Sequence, residues 1–160
     1  MTQLHKHLIV RADIGWCPQE EDLNKISDWF RSLIKKIDMK LLAGPYTTYV
    51  NEKDNKGMTS VAIIETSHIA LHIWDEVSPG LMQLDVYSCA DFNPPDVFDK
   101  VNELFQTIKM EYKFLDREKE LVEVKIKGFF FDKRLLFLRA YDRIGFLNRG
   151  SQIRILQSAP

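Results

Sequence analysis

Residues 59–89 read TSVAIIETSHIALHIWDEVSPGLMQLDVYSC. The stretch contains three short segments rich in β-branched and aromatic residues, 59–64, 69–74 and 81–89, with polar or Pro-Gly turn residues between them. This spacing is typical of consecutive antiparallel strands. The stretch therefore predicts the centre of a β-sheet.

The strand predicted around residue 70 has two chemically different faces. Alternate side chains of a strand point to opposite sides, so one face carries His68, Ala70, His72 and Trp74, and the other carries Ile69, Leu71 and Ile73. The next strand repeats the pattern, with Asp85, Tyr87 and Cys89 on its polar face. If the polar faces coincide, a histidine, a thiol and aromatic rings meet in one cleft.

The flanking sequence predicts two helices and further strands. We expect strands at 8–12, 41–50 and 121–126, an amphipathic helix from Leu23 to Ile37 and a hairpin turn at 51–57. A second helix is expected to start at Asn93-Pro94-Pro95, and its apolar face is Phe98, Val101, Leu104, Phe105 and Ile108. Pro45 indicates an edge strand or a bulge. The order β-α-β-β-β-β-α-β predicts an α+β two-layer sandwich, with a mainly antiparallel sheet and both helices on one face.

The last 50 residues are expected to form a C-terminal extension of unknown role. They contain the apolar run 129–131, a helix-like segment at 133–144 and a strand-like segment at 153–156. The chain is therefore divided into a domain at 1–110 and an extension at 111–160.

Composition narrows the class of protein. A chain of 160 residues with 45% hydrophobic residues can bury one substantial core, and no apolar run approaches the roughly 20 residues of a membrane span. Only Cys17 and Cys89 occur, which indicates a reducing, cytoplasmic setting. We expect no membrane partner.

Charge is distributed unevenly along the chain. Residues 1–110 hold 11 Lys and Arg against 16 Asp and Glu, whereas residues 111–160 hold 11 against 7. The basic excess in the extension is small and forms no Lys/Arg cluster, so we expect no nucleic-acid partner. Four histidines without a cysteine pattern of metal-ligand spacing also favour a protein without a metal site.

Two segments resemble a known family. Residues 67–76, SHIALHIWDE, are similar to the Glu-Ser-His-Leu-Ser-Ile-His-Thr-Trp-Pro-Glu segment of the small prokaryotic S-adenosylmethionine decarboxylase proenzymes. Residues 84–89, LDVYSC, resemble that family's Val-Asp-Val-Phe-Thr-Cys segment at nearly the family spacing. The resemblance covers residues 57–99 by motif and 5–110 by order of elements.

The resemblance implies a self-processing, pyruvoyl-dependent enzyme. Cleavage between Thr66 and Ser67 would give a β chain, 1–66, and an α chain, 67–160, and would convert Ser67 into an N-terminal pyruvoyl group. That ketone forms a Schiff base with the substrate amine and accepts the electrons released as CO₂ leaves, as PLP does elsewhere. No metal and no PLP are then required.

The resemblance also implies roles in processing and catalysis. His72 takes the position of the histidine that assists β-elimination, and Thr59 takes that of a serine that assists the same process. Cys89 takes the position of the proton donor that returns H⁺ to the substrate carbon after decarboxylation.

Four further residues become candidates for substrate binding. Glu76 takes the position of the acid that holds the ribose hydroxyls, and Trp74 stands where the family keeps a tryptophan. Tyr49 is the candidate ring for stacking on adenine, and His68 is a candidate contact on the same face as Trp74.

The match departs from the family at the residue before the cleaved serine. The family's glutamate is Thr66 here, and Glu65 lies one place earlier, where a strand side chain faces the other way. An unbroken strand would also place Ser67 on the face opposite His72. We therefore expect a turn or bulge at Thr66-Ser67.

The resemblance thus implies a decarboxylase of S-adenosylmethionine, which supplies the aminopropyl donor for spermidine synthesis and acts as a homodimer of processed chains. A pyruvoyl-dependent decarboxylase of ornithine or arginine is one alternative, motivated by Thr66. The other is an unprocessed, non-catalytic homologue that acts as a binding partner.

Overall fold

The structure is a computed structural model, and it describes residues 4–126. Its elements are β1 (Lys6–Ile14), a 3-10 turn (Glu20–Asp22), α1 (Leu23–Lys36), β2 (Leu41–Val50), β3 (Gly57–Ile64), β4 (Ser67–Trp74), β5 (Gly80–Ser88), α2 (Pro94–Phe105), β6 (Thr107–Asp116) and β7 (Val122–Glu123). The predicted segments at 129–131, 133–144 and 153–156 lie outside the described residues.

The strands form a single antiparallel sheet in the order β2-β3-β4-β5-β1-β6-β7. The strands predicted from residues 59–89 are β3, β4 and β5, and they lie side by side as expected. Pro45 lies in the edge strand β2, and the pairing of β2 with β3 shifts register on both sides of Ala43. The prediction of an edge strand or a bulge is thus confirmed in both respects.

The core lies between the sheet and the two helices. Alternate residues of the strands are buried, among them Leu8, Val10, Ile69, Leu71, Leu84 and Val86, and they face the apolar sides of α1 and α2. Trp29 of α1 joins the helices, because its indole N–H donates to the Lys100 carbonyl at 2.9 Å and its ring meets Phe105 edge-on at 5.0 Å. The predicted α+β two-layer sandwich is therefore confirmed. No helix in the described part of the chain is long and apolar enough to cross a membrane.

Two sequence predictions near the end of this domain are wrong. Ile108 does not belong to the second helix: α2 ends at Phe105, Gln106 adopts a left-handed conformation with φ of 53°, and Ile108 lies 49% exposed in β6. The last long strand is β6, whereas only Val122–Glu123 of the strand predicted at 121–126 pairs in the sheet. β6 pairs with β1 along its length and crosses the boundary drawn between residues 110 and 111.

Truncation of Phe30 to alanine is expected to lower the free energy of unfolding by about 3–5 kcal/mol, because its side chain is fully buried in α1. Urea unfolding followed by circular dichroism measures the change. Leu42→Ala is the matched control, since Leu42 is 57% exposed and its loss should change stability by less than about 0.5 kcal/mol. Equal losses of unfolding free energy in the two variants would contradict the placement of Phe30 in the core.

Candidate active site

One face of the sheet carries the polar residues that the sequence singled out. Opposite the helices, alternate residues of β1, β3, β4 and β5 are exposed or half-buried. This open face includes His7, Ile9, Thr59, Val61, His68, Ala70, His72, Trp74, Asp85 and Tyr87. The polar faces of β4 and β5 therefore coincide, as the sequence predicts.

The predicted turn before β4 is present. Glu65 and Thr66 form a two-residue turn that joins β3 to β4, and Ile64 pairs with Ser67 across it. Ser67 has a φ of 145°, a backbone conformation that residues with a side chain rarely adopt. Strain of this kind costs about 1–3 kcal/mol and persists only where the surrounding structure imposes it. Here it falls on the residue that follows the predicted cleavage point.

The carbonyl of Thr66 is held from the neighbouring strand. It accepts a hydrogen bond of 2.8 Å from the backbone N–H of Cys89, and the Ser88 hydroxyl donates to the Thr66 hydroxyl oxygen at 3.0 Å. Ser88 also pairs with Ser67 in the sheet. A fixed N–H donor on a carbonyl oxygen stabilises negative charge that develops there during attack on the carbonyl carbon. Cys89 thus lies beside the Thr66–Ser67 bond.

A histidine contacts the Ser67 hydroxyl. The oxygen lies 3.3 Å from Nδ1 of His68, and the His68 ring packs edge-on against Tyr87 with 5.7 Å between ring centroids. Tyr87 is itself held by the His5 ring nitrogen, 2.8 Å from its hydroxyl, and by the Arg117 guanidinium, 4.6 Å from its ring centroid. We call the group Thr66, Ser67, His68, Tyr87 and Cys89 the cleavage end.

His72 and Thr59 lie on the open face, further along β4 and β3 from Ser67. Their side chains are 3.0 Å apart, between the His72 Nδ1 and the Thr59 hydroxyl, and the His72 ring lies 6.0 Å from the ring of Trp74. Thr59, His72 and Trp74 line a cavity of about 220 Å³. The other lining residues are Val50, Asn55, Gly57 and Ile73. We call this group the pocket end.

The two ends are far apart within one chain. Ser67 and His72 are five residues apart on β4, which corresponds to about 17 Å along a strand. The sequence predicts that a histidine, a thiol and aromatic rings meet in one cleft. His68 and Tyr87 are in contact at the cleavage end and the Cys89 backbone lies beside them on the Thr66 carbonyl, whereas His72 lies at the pocket end. Strand geometry alone accounts for the separation.

Glu76 holds the turn between β2 and β3. One carboxylate oxygen accepts the backbone N–H of Asp54 at 2.9 Å, and the other accepts that of Lys56 at 3.2 Å. Asn55, between these two residues, lines the pocket. Glu76 therefore shapes the pocket end through the turn, a contact that the sequence did not reveal because it joins residues about 20 positions apart.

Tyr49 lies on the other side of the sheet from His72. It pairs with the buried Met58, and directly opposite residues of antiparallel strands point to the same side. Its hydroxyl donates to Asp75 at 2.6 Å, and burial together with the Asp75 carboxylate raises the pKa of Tyr49 above its usual range. The structure does not bring Tyr49 into the pocket, so its role in stacking on adenine stays a prediction.

Glu65 and Thr66, where the sequence departs from the family motif, both contact residues next to α1. Glu65 forms an ion pair of 3.8 Å with Lys40, and the Thr66 hydroxyl lies 3.5 Å from the sulfur of Met39. Neither carboxylate nor hydroxyl contacts Ser67. Within residues 4–126, no cluster of three or more His, Cys, Asp or Glu side chains is arranged to hold a metal ion.

Comparison with known proteins identifies related sequences. The family model for S-adenosylmethionine decarboxylase matches residues 6–118. An S-adenosylmethionine decarboxylase proenzyme from Clostridium kluyveri is 31% identical over 130 residues, which cover 78% of this chain and 97% of the relative. Another from Syntrophomonas wolfei is 39% identical over 116 residues, or 69% and 84% of the two chains.

A solved structure has the same fold. The adenosylmethionine decarboxylase from Aquifex aeolicus superposes with a TM-score of 0.52 and 19% identity, and the match covers 80% of this chain and 100% of that one. At this identity the likeness concerns the fold alone.

Glu76→Gln is expected to loosen the turn between β2 and β3, because a neutral amide is a weaker acceptor for two backbone N–H groups than a carboxylate. A loss of about 1 kcal/mol corresponds to roughly five-fold faster hydrogen exchange. NMR hydrogen exchange at the Asp54 and Lys56 amides measures this acceleration. Glu52→Gln, in the same turn, is the control. Unchanged exchange in Glu76→Gln would contradict the role of Glu76 in holding the turn.

Proposed function

The chain belongs to the S-adenosylmethionine decarboxylase family, and from this membership we propose that it is a self-processing enzyme that decarboxylates S-adenosylmethionine with a pyruvoyl group made from Ser67. The product serves as the aminopropyl donor for spermidine synthesis. The observation that carries the proposal is the Thr66–Ser67 bond, where a strained serine follows a carbonyl that accepts the Cys89 N–H.

The residues around this bond suit an acyl shift. Attack of the Ser67 hydroxyl on the Thr66 carbonyl forms a C–O bond, and the negative charge on the carbonyl oxygen is stabilised by the Cys89 N–H. Breakage of the C–N bond then leaves an ester and a free amine, and release of the φ of 145° favours this step. Elimination from the ester separates chain 1–66, which ends in a carboxylate, from chain 67–160, which begins with dehydroalanine. Water then hydrolyses the imine form of that residue to the pyruvoyl group, and the Ser67 nitrogen leaves as ammonia.

The same surroundings suit the later decarboxylation. A pyruvoyl group at position 67 supplies a ketone that takes the substrate amine and accepts the electrons released with CO₂. Cys89, next to that position, is the group we expect to return a proton to the substrate carbon. Trp74 and Glu76, at the pocket end, are the groups we expect to contact the nucleoside.

A homodimer accounts for the distance between the cleavage end and the pocket end. His72 lies about 17 Å from Ser67 along β4, too far to act on it within one chain. Two copies that pack with their open faces together, about a two-fold axis, would set the pocket end of each against the cleavage end of the other. The exposed side chains of Ile9 and Ile63 on this face give such a contact an apolar component.

Two alternatives are less well supported. Decarboxylation of ornithine or arginine keeps the chemistry but loses the support of the family match. A non-catalytic homologue gives no reason for strain at Ser67 or for a donor on the Thr66 carbonyl. The cytoplasmic setting and the roles of the individual site residues stay predictions.

Intact-mass spectrometry of the purified protein is expected to find two chains split before residue 67, the second with the mass of a pyruvoyl end. Ser67→Ala should remain a single chain and lose CO₂ release from S-adenosylmethionine, whereas Ser78→Ala, in an exposed loop, should behave as wild type. Turnover of ornithine or arginine without turnover of S-adenosylmethionine would overturn the substrate. An intact wild-type chain would favour the non-catalytic alternative.

Complementation tests the shared site. His72→Ala alone is expected to mature to the pyruvoyl form at least about 100-fold more slowly than wild type, because proton transfer by a positioned histidine contributes factors of this size. When tagged His72→Ala is co-expressed with untagged Ser67→Ala, the mixed dimer contains one site with both groups, so the tagged chain should mature. Mixed dimers in which the tagged chain stays immature would contradict a site shared between copies.

A further inference from the structure

The first step of self-cleavage requires a base near the Ser67 hydroxyl. His68 is the residue in contact with that hydroxyl. The inference rests on the proposed function, because it concerns the first step of the same processing reaction. We propose that His68 is the base that removes the Ser67 hydroxyl proton during the acyl shift, and that His72 acts only in the elimination that follows.

The Ser67 hydroxyl and the His68 ring can form a hydrogen bond in the direction that the reaction requires. The hydroxyl of Ser67 can donate, and Nδ1 of His68 can accept when it carries no proton, at a separation of 3.3 Å. A contact of this length in a resting precursor is typical, since catalytic hydrogen bonds are often long until the reacting geometry forms. Nucleophile and base are thus already in contact.

The surroundings hold the His68 ring in place although its side chain is exposed. Its edge-on contact with Tyr87 at 5.7 Å restricts rotation of the ring. Tyr87 in turn is fixed by the His5 nitrogen on its hydroxyl and by Arg117 over its ring. Tyr87 is therefore a positioning residue for His68: its ring contacts His68, and its hydroxyl is held by His5.

His72 has a different location and a different partner. Its Nδ1 is 3.0 Å from the Thr59 hydroxyl, at the pocket end. No contact joins it to Ser67 in the described part of the chain, whereas the acyl shift begins with the hydroxyl proton of that residue. The two histidines therefore suit two successive steps.

The proposed step balances without an outside reactant. His68 takes the proton from the Ser67 oxygen as that oxygen bonds to the Thr66 carbonyl carbon. It returns the proton to the Ser67 nitrogen as the C–N bond breaks, so the histidine ends neutral and the product is an ester with a free amine. Removal of the Ser67 α-proton, which starts elimination, remains with His72.

Trapping with hydroxylamine separates the two steps, because hydroxylamine cleaves an ester and spares the peptide bond. His72→Ala should accumulate ester, so hydroxylamine should split it into a chain that ends in a Thr66 hydroxamate and a chain that begins with unmodified Ser67. His68→Ala should form ester about 100-fold more slowly and should resist hydroxylamine over the same time. Added imidazole should restore its cleavage, because the exposed site is open to a small base.

Matched variants make the outcome decisive. His68→Gln keeps a polar side chain without a base and should show the same loss, whereas Ser78→Ala, in an exposed loop, should process as wild type. Tyr87→Ala should slow processing, and imidazole should relieve this loss too.

Wild-type processing by His68→Ala or His68→Gln overturns the assignment. So does ester formation in either variant as fast as in His72→Ala, or a loss that imidazole does not reverse. If the wild-type chain itself stays uncleaved, the proposed function fails, which is a separate result.

Discussion

The register between β3, β4 and β5 is the constraint on which the site depends. The two-residue turn Glu65–Thr66 fixes Ser67 opposite Ile64, and the pairing of β4 with β5 fixes it opposite Ser88. This register brings the Cys89 N–H to the Thr66 carbonyl. A slip of one residue would reverse the face of every β4 side chain and bury His68 and His72 against the helices. The buried alternation of Ile69, Leu71 and Ile73 therefore also specifies the chemistry.

Strain at Ser67 is sustained by the packing beneath it. The positive φ of Ser67 costs about 1–3 kcal/mol, which is comparable with the gain from burying one large apolar side chain. The layer between sheet and helices contains Phe30, Phe98 and Phe105, all at most 2% exposed. Because β4 is a central strand with hydrogen-bonded neighbours on both sides, the turn cannot relax without loss of pairing.

Local sequence patterns predicted most of the fold and part of the site. Alternation in β4 and β5 predicted the two faces of the sheet. The turn expected at Thr66 is present, and Ser67 after it pairs within β4 opposite the buried Ile64 and Ser88. The helical pattern was misleading at Ile108. The apolar spacing of α2 continues to this residue, but the chain turns at Gln106 and enters β6. Local patterns also missed Glu76 and the Asp75–Tyr49 contact, since both depend on pairing between residues distant in sequence. The distance between His72 and Ser67 could have been predicted from the sequence, because it follows from the rise per residue of a strand.

In the proposed mechanism, the placement of two histidines on one strand divides self-processing between two molecules. His68 contacts the Ser67 hydroxyl of its own chain, so the acyl shift needs nothing from a second copy. His72 points from the opposite end of β4, and about 17 Å of strand prevents it from reaching its own ester. In the proposed dimer, elimination waits for the partner, and an isolated chain stops at a reversible ester. Since that ester can return to the amide, the chain is committed to cleavage only after it has assembled.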